Sequence, residues 1–379
     1  MRKKTLVKDI SYFAKSLGHL DSLNIQLIKE IYNIGPRNLS MIARKLNVPK
    51  RTVHARFIKL RNEGLLSIHV LPKFHKLGMM NISVFLEVRP GFRTIISEIL
   101  KSHDFLYRMY FTFGHKSDIF AHFTIPVERI KNFERYLNEL RKGYAVSSLK
   151  MSFTGEYIAF LPNFDFFDEK NKIWKFDVKS YISDIQSGKF DRLHFTEPDS
   201  YKVSVDEIDV TILHWLQKNA LTRFATIAKV KNVSRSLIKY HYDTHVEDKL
   251  ICGYIVYTPR FIPHTSGLYL FEFEFEDLPG LEKFAFAIAN TPFICLATKE
   301  IRRNKFYVEL EIPIDDIETT IPSLVENLAK ECGLTRQAVF MLRKSTYYWK
   351  PIPVSLFDEE KGWDYREEQY LEILHKKLA

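Results

Sequence analysis

Residues 50–66 read KRTVHARFIKLRNEGLL, an amphipathic pattern that runs into a glycine. Val53, Phe57 and Leu60 follow at i, i+4 and i+7, so a helix would place all three on one buried face. Gly64 is suited to ending that helix, because a C-cap favours a left-handed backbone. The apolar residues that come next predict a strand. The stretch therefore predicts the third helix and the wing of a winged helix-turn-helix unit.

Two shorter helices are predicted upstream. Asp21 can cap the first, which would bury Ile28 and Ile31, and Asn38 can cap the second, over residues 39–46. The major groove of DNA admits one helix, and the N-terminal residues of a third helix in such a unit reach the base edges. We predict DNA contacts from the outward side chains of the third helix, namely Lys50, Arg51, Thr52, His54, Arg56 and Lys59.

The charge of the chain is concentrated at this unit. The first 80 residues hold 16 lysines and arginines against four acidic residues, an excess of +12, whereas the whole chain carries +10. A basic module on a nearly neutral remainder is typical of polyanion binding, and guanidinium groups such as those of Arg51 and Arg56 can bind guanine or phosphate in bidentate fashion. The sequence predicts double-stranded DNA as a partner.

The chain contains an internal repeat. LDSLNI at residues 20–25 aligns with VDEIDV at residues 205–210, a shift of 185, and the apolar positions of the helices continue to match without a gap. The ends repeat as well, with Phe-Asp-Glu at residues 167–169 and again at 357–359. We predict a duplication of one unit, so that two different recognition helices would read unequal half-sites.

The second recognition helix has fewer basic side chains among its predicted DNA-contacting residues than the first. After the cap Ser234 we predict outward side chains at Arg235, Ser236, Lys239, Tyr240 and His241, with Arg235, Ser236, Lys239 and Tyr240 contacting DNA. His241 and His245 stand at i and i+4, a spacing that can hold a metal ion. Because residue 245 aligns with Leu60, a core position, we predict that the two rings do not converge and that the chain has no metal site.

Each helix-turn-helix is followed by the order strand, helix, strand, strand, helix, strand, at residues 80–153 and again at 268–347. This is the order of a ferredoxin-like domain. The predicted fold class is therefore α+β, with two repeats of a winged helix-turn-helix plus a ferredoxin-like βαββαβ domain.

The combination resembles the Lrp/AsnC (feast/famine) family of transcription regulators, here in a tandem duplicated form. The residues that carry the resemblance are DSLNIQLI at 21–28 and VHARFIKLRNEGLL at 53–66. The resemblance implies a sequence-specific DNA-binding transcription regulator whose α+β domains pair through their sheets. It also implies a small effector, such as an amino acid, near a Thr-Gly-x-x-Asp turn, which residues 112–118 match at Gly114, His115 and Asp118. The second copy lacks the glycine and the aspartate, and a plain hairpin turn is the alternative for Gly114.

The predicted domains are a winged helix-turn-helix at 1–72, an α+β domain at 73–176, a linker at 177–204, a second winged helix-turn-helix at 205–258, a second α+β domain at 259–365 and a C-terminal helix at 366–379. We expect the two α+β domains to pair within one chain as a pseudo-dimer, with further homo-oligomers left open. No apolar run suits a membrane helix, and the three cysteines are widely separated. We therefore predict a cytoplasmic protein without membrane contact and without a cofactor.

Two alternatives to a regulator stay open. Siroheme decarboxylases share the same two-part fold, and their substrate carries many carboxylates, so converging arginines and histidines would be needed. The candidates, which are Arg108, His115, His122, Arg302 and Arg303, look scattered and mostly alternate with core positions. We therefore predict a protein that is not an enzyme and has no catalytic residues. The second alternative is a ligand-sensing scaffold that no longer binds DNA.

Overall fold

The computed structural model describes residues 11–114, 117–188, 191–262 and 264–378. Residues 11–18 are helical and lead into the first winged-helix unit. That unit contains α1 (Ser22–Ile34), α2 (Leu39–Lys45), α3 (Lys50–Asn62) and β1 (Ser67–Pro72). The first α+β domain contains β2 (Met79–Val88), α4 (Arg93–Ser102), β3 (Leu106–Gly114), β4 (Ile119–Pro126), α5 (Ile130–Lys142) and β5 (Val146–Thr154). Short strands β6 (Ile158–Ala159), β7 (Phe167–Asp168) and β8 (Ile173–Trp174) and helix α6 (Val178–Gln186) follow.

The second half repeats this order. Its winged-helix unit contains α7 (Glu207–Lys218), α8 (Phe224–Lys231), α9 (Arg235–His241), a π-helical turn (Tyr242–Val246) and β9 (Ile251–Tyr257). Its α+β domain contains β10 (Ser266–Phe275), α10 (Leu278–Ala289), β11 (Ile294–Lys299), β12 (Lys305–Pro313), α11 (Ile314–Glu318), α12 (Thr320–Glu331) and β13 (Leu334–Leu342). The chain ends in β14 (Tyr348–Trp349), β15 (Phe357–Asp358), β16 (Gly362–Trp363) and α13 (Glu367–Leu378). The predicted α+β class with two repeats is confirmed.

The two α+β domains share one ten-stranded sheet. Nine strands run in the order β5-β2-β4-β3-β13-β10-β12-β11-β6, and the tenth, β14, also pairs with β3. The two domains meet where β3 pairs antiparallel with β13. The segment that forms β5 pairs with β2 and then continues into β6, which pairs with β11. A bridge between Thr154 and Glu300 joins the same two edges. The sheet therefore closes on itself, and the face away from the helices becomes the inside of a barrel built from both repeats.

Alternation along the strands decides what lies inside the barrel. On β2, Ile82, Val84 and Leu86 belong to the core beneath the helices of the first domain. Phe85 faces the other way and packs with residues of both repeats inside the barrel, a cluster made of Phe85, Tyr110, Phe120, Leu270, Tyr307, Phe340 and Leu342. The pairing of the two domains within one chain thus buries an apolar centre, as the pseudo-dimer hypothesis requires.

The two repeats also exchange segments. Wings β1 and β9 pair antiparallel, from Ser67 opposite Tyr257 onward. Helix α6 of the first repeat packs on the second domain, where Tyr181 donates to the carbonyl of Ala287 at 2.6 Å. Helix α13 of the second repeat packs on the first domain, where Tyr370 donates to Asp104 at 2.9 Å. Each domain is therefore completed by the tail of the other repeat.

The predicted linker at 177–204 contains a helix, because Asp177 caps α6 and apolar residues of α6 are buried on the second domain. The domain boundaries themselves stay a prediction. Within the described residues, no helix combines the length and the apolar character needed to cross a membrane.

Candidate functional site

A buried arginine and a buried histidine lie side by side inside the barrel. Arg108 on β3 and His122 on β4 are directly opposite one another in the strand register, so both side chains point to the same face of the sheet. Their exposures are 5% and 0%. A charged residue is almost never this buried unless it is paired or binds a ligand.

Arg108 has one charged partner and two nitrogens without any hydrogen bond. Its Nη1 lies 2.6 Å from Oε1 of Glu309, which comes from β12 of the second repeat. Its guanidinium carbon lies 4.9 Å from the centre of the Tyr157 ring. Nε and Nη2 have no hydrogen-bond partner among the described residues. Burial opposes the charge of Arg108, but the attraction of Glu309 outweighs it and raises the pKa of the guanidinium. The result is a permanent cation with free donors.

The protonation of His122 follows from its neighbour Asn81. The amide nitrogen of Asn81 donates to the carbonyl of Gly155 at 3.2 Å and to Oε2 of Glu156 at 3.3 Å. Its Oδ1 is therefore an acceptor, and Nε2 of His122, 3.2 Å away, carries the hydrogen. Nδ1 is left as an acceptor and has no partner among the described residues. Burial and the charge of Arg108 both lower the pKa of His122 well below its usual value, so the ring is neutral.

Two tyrosines complete this group. The Tyr157 ring lies 4.6 Å from that of His122, and its hydroxyl lies 3.2 Å from Oγ of Ser83. Tyr110 stacks on Tyr347 at 4.9 Å, and burial together with Glu309 raises the pKa of Tyr110 well above its usual value. We call Arg108, His122, Tyr157, Tyr110 and Glu309 the barrel cluster. It combines a fixed cation, a neutral imidazole with a free acceptor and, in Tyr110, a phenol that keeps its proton, which suits binding a carboxylate and moving a proton.

A second polar group inside the barrel is different, because its charges are satisfied. Glu272 pairs with Lys150 and, at 3.3 Å, with Lys305. Tyr307 donates to Oγ of Ser152 at 2.9 Å and to Glu300 at 3.1 Å. None of these side chains has an unpaired buried polar atom. This group therefore holds the two repeats together, whereas the barrel cluster leaves donors and an acceptor free.

The expectation that the candidate arginines and histidines are scattered is wrong for two of them. Arg108 and His122 converge because the antiparallel register of β3 and β4 sets them opposite each other. Arg303 does not join them, since its side chain is 65% exposed and lies 3.4 Å from Glu300. Arg302 is on the surface in a left-handed turn, with φ of 57°. His115 lies outside the described residues.

The predicted DNA-contacting residues of α3 are placed on its outer face. Lys50, Arg51, His54 and Lys59 are exposed and Thr52 is half-buried. Arg56 is engaged within the protein, because its Nη1 donates to both carboxylate oxygens of Asp21, at 2.7 and 2.5 Å. The face that remains free is still basic.

In the second unit, Arg235, Ser236, Lys239 and Tyr240 are exposed on α9, and Lys239 is paired with Asp243. The prediction that His241 points outward is wrong, since the residue is 8% exposed. The expectation that His241 and His245 do not converge is also wrong, since their ring centres are 5.0 Å apart. The π-helical turn explains the error: its extra residue per turn rotates residue 245 away from the core position of Leu60.

Two of the predicted effector residues, Gly114 and Asp118, have structural contacts of their own. Gly114 sits at the seam between the two domains, and a Cβ there would lie 2.5 Å from the carbonyl oxygen of Val339. Asp118 accepts from the amide of Val88 at 2.8 Å and pairs with Arg93. An effector at this turn stays a prediction.

The fold of the whole chain has solved counterparts. No protein-family profile and no curated protein matches the sequence. The siroheme decarboxylase NirDL in complex with an iron-uroporphyrin III analogue is 12% identical, with a TM-score of 0.57 over 94% of this chain and 100% of that one. A second NirDL structure gives 12% and 0.56 over 94% and 99%. AsnC from E. coli is 16% identical and covers 35% of this chain and 91% of its own, with a TM-score of 0.30. The full-length similarity is to the structure of an enzyme, which corrects our prediction that the chain is not one.

Proposed function

We propose that this protein is an enzyme that binds a carboxylate-bearing tetrapyrrole at the barrel cluster and removes carboxyl groups as CO2. The observation that carries the proposal is that Arg108 and His122 are buried and have ring or guanidinium nitrogens without a hydrogen-bond partner among the described residues. The substrate class comes from the solved structure with the similar full-length fold, which holds an iron-uroporphyrin III analogue.

Arg108 is suited to bind the substrate carboxylate. An unsatisfied buried donor costs about 1–3 kcal/mol, and more when it is charged. A ligand that fills Nε and Nη2 recovers that cost, and a carboxylate accepts two parallel N–H bonds from a guanidinium. Glu309 balances the charge of Arg108 before the substrate arrives and so lets the cation persist inside the barrel.

His122 is suited to the proton transfer. Loss of CO2 breaks a carbon–carbon bond and leaves its electron pair on the carbon, which must then take up one proton. Arg108 is one of the two causes of the low pKa of His122. A carboxylate bound to Arg108 would offset that charge, so that Nδ1 can take a proton from water and pass it to the carbon. Asn81 would keep the ring in place during the transfer.

The test is a titration of the purified full chain with iron-uroporphyrin III, followed by absorbance, and then incubation with mass detection of CO2 loss. We expect a shifted porphyrin band and a decarboxylated product. Arg108→Gln should weaken binding at least tenfold, whereas His122→Gln should bind but lose turnover. Arg303→Gln, an exposed arginine, is the matched control. Binding that is equal in Arg108→Gln and Arg303→Gln, or no binding at all, would overturn the proposal.

DNA binding is a second candidate function. The observation that favours it is the outer face of α3, where Lys50, Arg51 and Lys59 are exposed and form no ion pair among the described residues. Such a face is suited to phosphate contacts and base edges. Regulation by a small effector, such as an amino acid, would then be the finer hypothesis, and both functions can reside in one chain because the two sites are on different elements.

A further inference from the structure

Four potential metal ligands converge in the second winged-helix unit. They are Asp206 and Asp209, at the start of α7, and His241 and His245, at the end of α9 and in the π-helical turn. One ligand atom from each of the four lies within 4.8 Å of all the others. The two aspartates are separated in sequence from the two histidines by most of the unit, and the fold brings the two pairs together.

The separations between these atoms match the requirements of a small divalent ion. Nδ1 of His241 is 3.0 Å from Oδ1 of Asp209 and 3.3 Å from Oδ2 of Asp206. Nδ1 of His245 is 3.3 Å from Oδ2 of Asp209. Ligands at 2.0–2.1 Å around a tetrahedral zinc ion are roughly 3.3 Å apart. Each of these three separations is within 0.3 Å of that spacing, and the remaining ones are bounded by 4.8 Å.

The carboxylates are already held in position. Asp206 accepts the amide of Asp209 at 2.9 Å through Oδ1, and its own amide donates to Oδ2 of Asp209 at 3.4 Å, a capping box. Oδ2 of Asp206 and Oδ1 of Asp209 remain directed at His241, and Oδ2 of Asp209 also lies 3.3 Å from Nδ1 of His245. Asp209 has a side-chain exposure of 3%. Among the described residues, no lysine or arginine forms an ion pair with either aspartate.

The equivalent positions of the first winged-helix unit hold a different set of side chains. The shift of 185 brings Asp206 onto Asp21, and His241 onto Arg56, which pairs with Asp21 at 2.5 Å. Asp209 corresponds to Asn24, and His245 to Leu60, which is 2% exposed in the core. The duplicated unit therefore replaces one ion pair by four ligand side chains, three of which differ from their counterparts.

We propose that Asp206, Asp209, His241 and His245 form a site for one Zn²⁺-type divalent ion. Two imidazole nitrogens favour zinc, nickel, cobalt or copper over magnesium and calcium, and two carboxylates balance the ion's charge. All four positions are filled by protein, which is typical of a structural site rather than a catalytic one. The ion joins the start of α7 to the end of α9 and so fixes the second recognition helix on its unit.

The experiment uses the full chain after treatment with a chelator. Zn²⁺ affinity is measured by competition with a chromogenic chelator, and Co²⁺ is added separately to record its visible absorption. We expect one equivalent of Zn²⁺, a Co²⁺ spectrum with the intensity of four-coordinate geometry, and a melting temperature that rises by a few degrees with Zn²⁺ but not with Mg²⁺.

Each variant carries the residue that the alignment with the first repeat places at that position. His245→Leu and Asp209→Asn should each weaken Zn²⁺ binding at least tenfold and abolish the four-coordinate spectrum, and His241→Arg should abolish binding. His54→Gln, at an exposed histidine on α3, is the matched control. Wild-type protein that gives no four-coordinate Co²⁺ spectrum, or Zn²⁺ affinity that is unchanged in His245→Leu and Asp209→Asn, would overturn the proposal and leave a hydrogen-bonded His–Asp cluster.

Discussion

Arg108 and Glu309 come from different repeats and meet at 2.6 Å inside the barrel. Glu309 stands opposite Leu270 on the neighbouring strand, just as His122 stands opposite Ser83 in the first repeat. The two repeats thus place different chemistry at equivalent positions, a carboxylate in one and an imidazole in the other. Duplication followed by such divergence turns a symmetric interface into an asymmetric site.

Removing one partner of this pair should destabilise the protein strongly. Glu309→Gln leaves the Arg108 charge uncompensated in the barrel, and such a loss costs about 3–5 kcal/mol. Arg108→Met with Glu309→Leu should recover most of the free energy of unfolding, because it removes both charges, yet it should lose the tetrapyrrole. Urea unfolding and porphyrin titration of the same samples measure the two effects. A double variant that still binds iron-uroporphyrin III would contradict the role of Arg108.

Stability should fall as the pH is lowered through the unfolded pKa of histidine. The pKa of His122 is well below normal in the folded chain through burial and Arg108, and that of His103 through burial and Lys350. Below about pH 6.5 the unfolded chain therefore takes up protons that the folded chain does not. Each histidine should lower the free energy of unfolding by up to about 1.4 kcal/mol per pH unit.

Urea unfolding between about pH 7.5 and 5.5, a range that spans the ordinary histidine pKa, measures this slope. His122→Gln should flatten it, whereas His54→Gln, at an exposed position, should not. Equal slopes for wild type and His122→Gln would mean that the histidine is not neutral inside the barrel.

The sequence is informative where the determining pattern is local. Val53, Phe57 and Leu60 mark one helix face, and all three are buried in the structure. The convergence of Arg108 and His122 escapes prediction because it depends on a strand register and on a barrel closed by both repeats, which are non-local. A signal is nevertheless present in the sequence, because each is a basic residue within a strand that is otherwise mostly apolar. The position of His245 is mispredicted for a different reason, since alignment with Leu60 assumes a regular α-helix and the π turn breaks that assumption.

DNA binding should depend on Arg51 far more than on Arg56. Arg51 is exposed on α3, whereas Arg56 is occupied by Asp21. Lys50→Ala with Arg51→Ala should weaken binding to a random duplex and reduce its salt slope by about one for each phosphate that is no longer neutralised. Arg56→Ala should mainly lower stability, by about 0–1 kcal/mol for a half-exposed pair.

Fluorescence anisotropy at two salt concentrations measures both effects, with Lys170→Ala, an exposed lysine outside the helix-turn-helix units, as the control. If binding disappears in Arg56→Ala but persists in the Lys50 and Arg51 variant, then Arg56 contacts the DNA and Lys50 and Arg51 do not. Binding indifferent to all three substitutions would remove α3 as a DNA-binding surface.

Gly114 should tolerate no side chain, because it lies where the two domains join. Its φ is 129°, and a Cβ would lie 2.5 Å from the carbonyl oxygen of Val339 on β13. Gly114→Ala must therefore displace β13 or strain β3, at a cost of about 1–3 kcal/mol. Gly253→Ala is the matched control, since a Cβ at Gly253 meets nothing within 4 Å. Thermal unfolding of the two variants separates the effects. If Gly114→Ala melts at the same temperature as Gly253→Ala, β3 and β13 adjust to the added methyl group without cost, and the close contact at Gly114 does not limit the stability of the protein.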